Sequence, residues 1–415
     1  MKLGRLNLKS SVTLITVLEY ILMLFVLLYS SMWALFTTAN GNTFFRLSFP
    51  LLAVLIFLRL RGKAIFAPRW KRLVLVAAAL AVYAVFTRYN LARFGLYYVI
   101  PLILLMLYIG LTDDRQACLS LLYKLSDIVV VLSVISLFCF VFGTCLEVLP
   151  GRSTVTYDWA QATRSCGTYF HLYYESQNIV FLGRDLVRNC GLFMEAPGFA
   201  IFLVYAASVE LLLRKKLRLV RCIILFVTAL TTFSAKAILL VVLACGLRYV
   251  IQRSRTILSH RFKIVVLPAV LGAVALVAMV LIADKMTSAS YFIRMDDVQA
   301  CLKTWLTHPI FGTGYWNDES VVPFFAFEGR YNDGLSMGLA VILAQGGVYL
   351  LALYLLPMIF CIRRFHGIDR AYVAAFFLVY TGLLLITNMP YSYLALLIIA
   401  VALEYGRKRP AHLTE

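Results

Sequence analysis

Apolar residues in this chain come in long unbroken runs rather than in the alternation of a strand or the one-sided stripe of a surface helix. Positions 264–283, 335–362 and 371–403 carry no charged residue at all, and about 20 apolar residues suffice to cross a hydrocarbon core as a helix. The last run is broken at Asn388-Met389-Pro390 and reads as a helical hairpin. A spanning β-barrel would alternate polar and apolar residues along each strand, so helices are expected. The pattern predicts spans at 12–36, 44–60, 73–88, 94–112, 125–146, 189–212, 217–233, 236–252, 264–283, 335–360, 371–388 and 391–406. The expected fold class is an all-α, polytopic integral membrane protein of about 12 transmembrane helices, a single membrane domain over 1–415.

Composition agrees, with 62% hydrophobic and 14% charged residues and a mean hydropathy of +0.87. The net charge of +19 raises the question of nucleic acid, but its distribution answers it. Basic clusters at Lys2/Arg5/Lys9, Arg59 to Arg72, Arg214 to Arg221, Arg248 to Lys263, Arg363 to Arg370 and Arg407/Lys408/Arg409 recur between pairs of spans. That is the positive-inside pattern. It predicts both termini in the cytoplasm and an even span count, with attraction to anionic membrane lipid as a by-product. The basic start followed by a long apolar run without a small-residue cleavage site reads as an uncleaved first span. Nine cysteines, mostly inside spans, form no CxxC pair; the outer positions of Cys166 and Cys190 admit a bridge.

Two long polar connections interrupt the spans, at 150–188 and 284–334. The charge count puts both outside the cytoplasm. Long connections in compact proteins are functional or disordered, and aromatic content argues for order. The first carries Tyr157, Trp159, Tyr169, Phe170, Tyr173 and Tyr174; the second carries Trp305, Tyr315, Trp316, Phe324 and Phe325 among others. Such rings either form a cap suited to sugar binding or make an interfacial aromatic belt.

The stretch from Arg188 to Ala200, RNCGLFMEAPGFA, runs from the first loop into a span. Arg188 and Glu195, seven apart, would share a helix face, with the acid about two turns inside. An acid in an apolar segment marks a function or a buried partner. Glu195 either serves chemistry or pairs with a neighbouring helix, Arg188 then being a snorkelling anchor. Pro197 with Gly191 and Gly198 suggests a broken first turn lining a cavity. Glu19 and Asp127 sit near or in spans without a local motif, and Glu210 is expected to pair at a basic cytoplasmic end.

In the second loop, 294 to about 306 reads as an amphipathic helix on the membrane surface, and HPIFGTG from His308 makes a tight turn at its end. His308, followed by Pro309, reads as a turn residue rather than a base. Arg330-Tyr331-Asn332-Asp333 precede the next span and should lie at the membrane surface. Metal-ligand spacings, a P-loop, GxGxxG and GxSxG are all missing from the sequence, so neither metal nor other cofactor is expected.

These segments resemble the O-antigen ligase and polymerase superfamily, the Wzy-type enzymes that join lipid-linked sugar units outside the cytoplasmic membrane of bacteria. Arg188, Gly191, Phe193, Glu195 and Pro197 are similar to the polymerase pattern Arg-x-x-Gly-x-Phe-x-Glu-Pro, with Ala196 inserted before the proline. Arg294, Trp305, Pro309, Gly312 and Gly314 resemble the family's Arg, Trp and Pro-x-x-Gly-x-Gly run. Asn332, Asp333 and Gly346-Gly347 resemble the start of the following helix, and Lys236 stands where the family often has Arg. The likeness is strongest from about 184 to 350. Ligases of the superfamily usually have a His where this chain has Tyr331, which favours the polymerase branch.

The resemblance implies a GT-C-like membrane glycosyltransferase acting on undecaprenyl-diphosphate-linked oligosaccharides as donor and acceptor, with a flippase and a chain-length regulator as partners. No nucleotide sugar exists outside the cytoplasm, so the donor must carry its own activation. Arginine suits a departing diphosphate because its fork binds phosphate oxygens and stays charged. The expected catalytic set is Glu195 as base with Arg188 and Arg294 on the leaving group. The expected substrate-binding set is Arg184, Arg330, Tyr331, Asn332, Asp333, Trp305 and Trp316. A ligase-like glycan transferase and a lipid-linked glycan flippase are the alternatives; transporters place their charges at the midplane in inverted repeats, and no repeat is visible here.

Overall fold

The computed structural model describes residues 8–33, 42–61, 70–112, 114–159, 162–181, 183–253, 272, 289–330, 334–387 and 389–407. The expected span at 264–283 and Tyr331, Asn332 and Asp333 lie outside them. Among the described residues, nine helices are long and apolar enough to cross a membrane, and two shorter apolar helices accompany them. The chain is a mostly helical, polytopic membrane protein.

The helices are α1 (Leu8–Ser30), α2 (Asn42–Leu60), α3 (Trp70–Thr87), α4 (Leu91–Gly110), α5 (Ser120–Cys145), α6 (Ala196–Leu213), α7 (Leu219–Thr231), α8 (Ala235–Arg253), α9 (Ala289–Thr307), α10 (Gly338–Arg363), α11 (Gly367–Leu385) and α12 (Tyr393–Tyr405). α4 passes through a π-helical turn at Gly95–Val99, and α5 and α6 end in π turns. α12 is buried along almost its whole length and α6 along most of its own, so these two are the central posts. Leu75, Val85 and Phe86 on α3 and Val220 on α7 remain exposed, as expected of sides that meet lipid rather than water.

The first long connection contains β-structure, which the expected all-α fold class did not include. It holds a three-stranded antiparallel sheet, β1 (Arg152–Trp159), β2 (Ala162–Tyr169) and β3 (Tyr173–Tyr174), and a hairpin of β4 (Asn178–Phe181) and β5 (Arg184–Val187). The register runs from Arg152↔Tyr169 to Trp159↔Ala162. Along β1, Thr154, Thr156 and Asp158 face out while Val155 and Tyr157 face in. That is the period-2 alternation of a half-buried strand. Tyr169 and Tyr173 are buried against α5, and Glu175 ties the sheet down by accepting from Thr144 Oγ1 at 2.7 Å and Arg152 Nη2 at 2.7 Å.

The second connection is helical, as expected, over Ala289–Thr307, and it turns at 308–311. The turn then locks into a break in α10. Gly347, at φ 61° and ψ −169°, interrupts that helix. The exposed backbone groups are taken up by the turn: Thr313 N–H donates to Ala344 at 3.1 Å, Gly314 N–H to Gln345 at 2.9 Å, and Val348 N–H to Pro309 at 3.0 Å. A Cβ on Gly347 would run into the Ile310 carbonyl, and one on Gly312 into the Gln345 backbone. Only glycine permits that approach and that φ.

At the end of the bundle away from the sheets, the acids that reach into the apolar region among the described residues are paired. Glu19 accepts from Lys124 at 2.6 Å, Arg59 at 3.2 Å, Ser120 at 2.8 Å and Tyr108. Arg214 bridges Asp127 at 2.6 Å and Glu210 at 2.7 Å, with Arg221 on the same two acids. Arg72 meets Glu404 at 2.7 Å. The expected pairing of Glu210 is of this kind, and Glu19 and Asp127 join it.

Candidate functional site

At the sheet end, β5 hands the chain to an irregular segment, 188–195, before α6 begins. The sequence reading put Glu195 two turns inside a helix; it stands instead at the N-cap of α6, extended at φ −133° and ψ 139°. The helix starts late because Pro197 fits only its first turn and Gly191, at φ +54°, turns the chain just before it. Arg188 and Glu195 therefore share no helix face, yet they converge. A Cβ on Gly191 would press into the Phe199 ring at 2.8 Å, so the loop is folded onto α6.

Several bonds fix this segment. Asn189 N–H donates to the Thr231 carbonyl at 3.0 Å and its Nδ2 to Thr231 Oγ1 at 2.9 Å, while its Oδ1 accepts from Gly191 N–H at 3.0 Å. Arg188 Nε donates to the Thr232 carbonyl at 2.9 Å, and its Nη1 to Gln177 Oε1 at 3.4 Å. The same Gln177 oxygen accepts from Ala196 N–H at 3.1 Å, satisfying a first-turn donor of α6. The α7–α8 turn is thus strapped to the loop, and Lys236, on the first turn of α8, is carried with it.

The result is one half-buried carboxyl among cations. Glu195 feels the charges of Lys236, Arg188 and Arg164. Arg188 in turn feels Arg294 on α9. Burial pushes the Glu195 carboxyl above the usual carboxylate range, and the three cations oppose that rise. Burial also lowers the Arg188 guanidinium from its usual value, with Arg294 adding to the fall. None of the ion pairs among the described residues involves Glu195, Arg188, Arg164 or Arg294. Held this way, the three arginines alone exceed one carboxylate, a balance suited to an anionic group of more than one charge.

The other expected site residues fall elsewhere. Arg330 is buried and spent internally, on Asp296 at 3.1 Å and Asp297 at 2.6 Å, and it lies over the Phe325 ring at 3.5 Å. Its assignment to substrate therefore gives way to a latch. Trp305 Nε1 donates to the Pro309 carbonyl at 3.0 Å, closing the turn after α9. Arg184 is exposed on β5. Trp316 carries Arg93 over its ring at 3.9 Å. Cys166 and Cys190 are both buried and free, so the bridge the sequence admits is not made. Among the described residues no three His, Cys, Asp or Glu side chains gather as a metal site.

Sequence reasoning missed Arg164 and Gln177. Arg164 sits exposed on β2 opposite Tyr157, and only the β1–β2 hairpin brings its charge to bear on Glu195. Gln177 gave no signal of its own. No family model, curated protein or solved structure matches this chain.

Proposed function

We propose that the chain is a membrane glycosyltransferase, a polysaccharide polymerase that joins polyprenyl-diphosphate-linked glycan repeat units at the outer face of the bacterial cytoplasmic membrane. In this reading twelve helices span the bilayer, both termini are cytoplasmic, and the sheet end faces outward. One observation carries it: a half-buried carboxyl at the mouth of α6 with Arg188, Arg164 and Lys236 around it and Arg294 beside Arg188.

The chemistry is a single displacement. Glu195, raised by burial toward a useful range, takes the proton of the acceptor hydroxyl as its oxygen bonds to the donor's anomeric carbon. The bond from that carbon to the diphosphate oxygen breaks, and the electron pair leaves with the lipid diphosphate. Arg188 and Arg294 hold the charge that grows on it, which is transition-state stabilisation by preset cations. The anomeric configuration inverts. A flippase supplying the donor and a chain-length regulator would be its partners.

The test is the product ladder made by purified protein in vesicles loaded with the lipid-linked repeat unit of its own host. Arg188→Gln and Glu195→Gln should each cut chain extension by about 100-fold or more and leave single repeat units unconsumed. Wild-type ladders from either variant would overturn the reading.

A further inference from the structure

Between α9 and α10 the chain lays down an aromatic floor, separate from the charges around Glu195. Trp316 and Tyr391, the latter just before α12, are both half-buried, with ring centroids 6.0 Å apart and planes tilted by 32°. Trp316 is held at φ 60°, costly for a bulky residue and typical of a position retained for use. Two residues on, Asp318 spends one carboxylate oxygen on Gln345 Nε2 at 2.7 Å, and its charge reaches Tyr391. Its other oxygen takes no hydrogen bond among the described residues, and Asp318 is in no ion pair there. Arg93 lies 3.9 Å over the Trp316 ring and likewise pairs with no acid among them.

The floor is tied to the Glu195 segment through α1. Met194 N–H donates to the Ser31 carbonyl at 3.2 Å, and two residues back Tyr29 feels the charge of Arg93. Around the floor three polar atoms have no partner: the hydroxyls of Tyr315 and Tyr391, and Gln345 Oε1. A polar group left dry is costly. Tyr315 and Gln345 are wholly buried. Tyr391 is not, so its hydroxyl is the one that a ligand resting on the floor can satisfy.

Charge decides what can rest there. Arg93 and Asp318 sum to zero without pairing, so a charged ligand meets one of them as a like charge. A lipid tail would satisfy neither. A neutral sugar ring meets both: its C–H face stacks on the aromatic rings, and its hydroxyls donate to Asp318 and accept from Arg93. On the reading that this chain joins lipid-linked glycans, we propose that Trp316, Tyr391, Asp318 and Arg93 form a sugar subsite that holds one uncharged ring of the glycan.

Saturation-transfer NMR on the full chain in detergent tests this, the probe being the repeat-unit oligosaccharide of the host's own polysaccharide, freed of lipid and diphosphate. Wild type should transfer saturation chiefly to one uncharged ring. Asp318→Asn and Arg93→Gln should each weaken binding about tenfold, the worth of one charge-assisted hydrogen bond. Tyr391→Phe removes a hydroxyl that has no partner in the free protein, so it should weaken binding while the thermal transition falls no lower than wild type. That variant separates loss of contact from loss of fold. Wild-type binding by all three variants, or no transfer from the wild type itself, would sink the subsite and spare the polymerase reading, which stands on Glu195 and Arg188. Saturation centred on a uronic acid or an amino sugar would overturn the neutral character given to it. Weakened binding in the three variants, together with wild-type ladders from Glu195→Gln and Arg188→Gln, would keep the subsite and end that reading.

Discussion

At the scale of single residues, Glu195 is where opposing effects meet. Burial raises its carboxyl, while Lys236, Arg188 and Arg164 pull it down. A general base works deprotonated, so activity should rise with pH through the folded pKa of Glu195, on a limb displaced upward from the ordinary carboxylate range. Lys236 lowers that pKa, so Lys236→Gln must raise it and move the acid limb to higher pH. The variant should lose rate on the acid side relative to wild type and recover as pH rises. The check is initial rate of polymer extension across the pH range, and an unmoved or acid-shifted limb would remove Glu195 from the base role. The acid and its arginine were legible in the sequence because each is conspicuous in an apolar context. Their relative placement was not: Pro197 and Gly191 signalled a broken first turn, but the sequence did not show that the break puts all of 188–195 outside the helix, with Glu195 at its N-cap.

At the scale of elements, α9 and the segment after it show what spacing alone conceals. Arg330 stood in the sequence as one more cation near the membrane surface. In the fold it reaches back across more than thirty residues to Asp296 and Asp297, while Asp297 also accepts from Ser336 N–H at 2.8 Å and Asp296 from Ala326 N–H at 2.8 Å. These bonds fix α9 and so fix Arg294, which lies two residues before Asp296. Arg330→Gln leaves two buried carboxylates without their cation, a loss of about 3–5 kcal/mol by analogy with other broken buried pairs. Arg330→Lys should recover only part of it, because one ammonium cannot serve both acids with the fork's geometry. Thermal unfolding in detergent measures this, and an unchanged transition in Arg330→Gln would mean the latch holds nothing. The membrane helices were readable because hydropathy is summed over many residues. The β-strands were not, because β1 and β2 are half-polar and the aromatic residues among them read as a sugar-binding cap or an interfacial belt rather than as strand faces. The glycines of the 308–314 turn and of α10 were visible only as a motif; their interlock needed the three-dimensional contact between two distant backbones.

At the scale of the whole molecule, the two ends of the bundle use charge in different ways. Away from the sheets, Glu19, Asp127, Glu210 and Glu404 each sit in ion pairs, and these tie together α1, α2, α3, α5, α6 and α12. At the sheet end, Arg188, Arg164, Arg294 and Arg93 form no ion pair among the described residues. Paired charges inside an apolar bundle hold helices in register, whereas unpaired ones are free to meet a ligand. The two sets should therefore separate under mutation. Glu210 is fully buried, and Glu210→Gln leaves the Arg214 and Arg221 guanidiniums short of an anion, so it should cost up to about 3 kcal/mol of stability. The fraction that remains folded should make polymer of normal length. Arg188→Gln should do the opposite, shortening the product while costing less stability than Glu210→Gln, because it removes two hydrogen bonds, to Thr232 and Gln177, and strands no buried ion. Measuring both quantities on the same two proteins decides the matter. A Glu210→Gln protein that melts normally but makes short chains would place catalytic charge at the wrong end of the bundle, and the separation of anchoring from binding would fail.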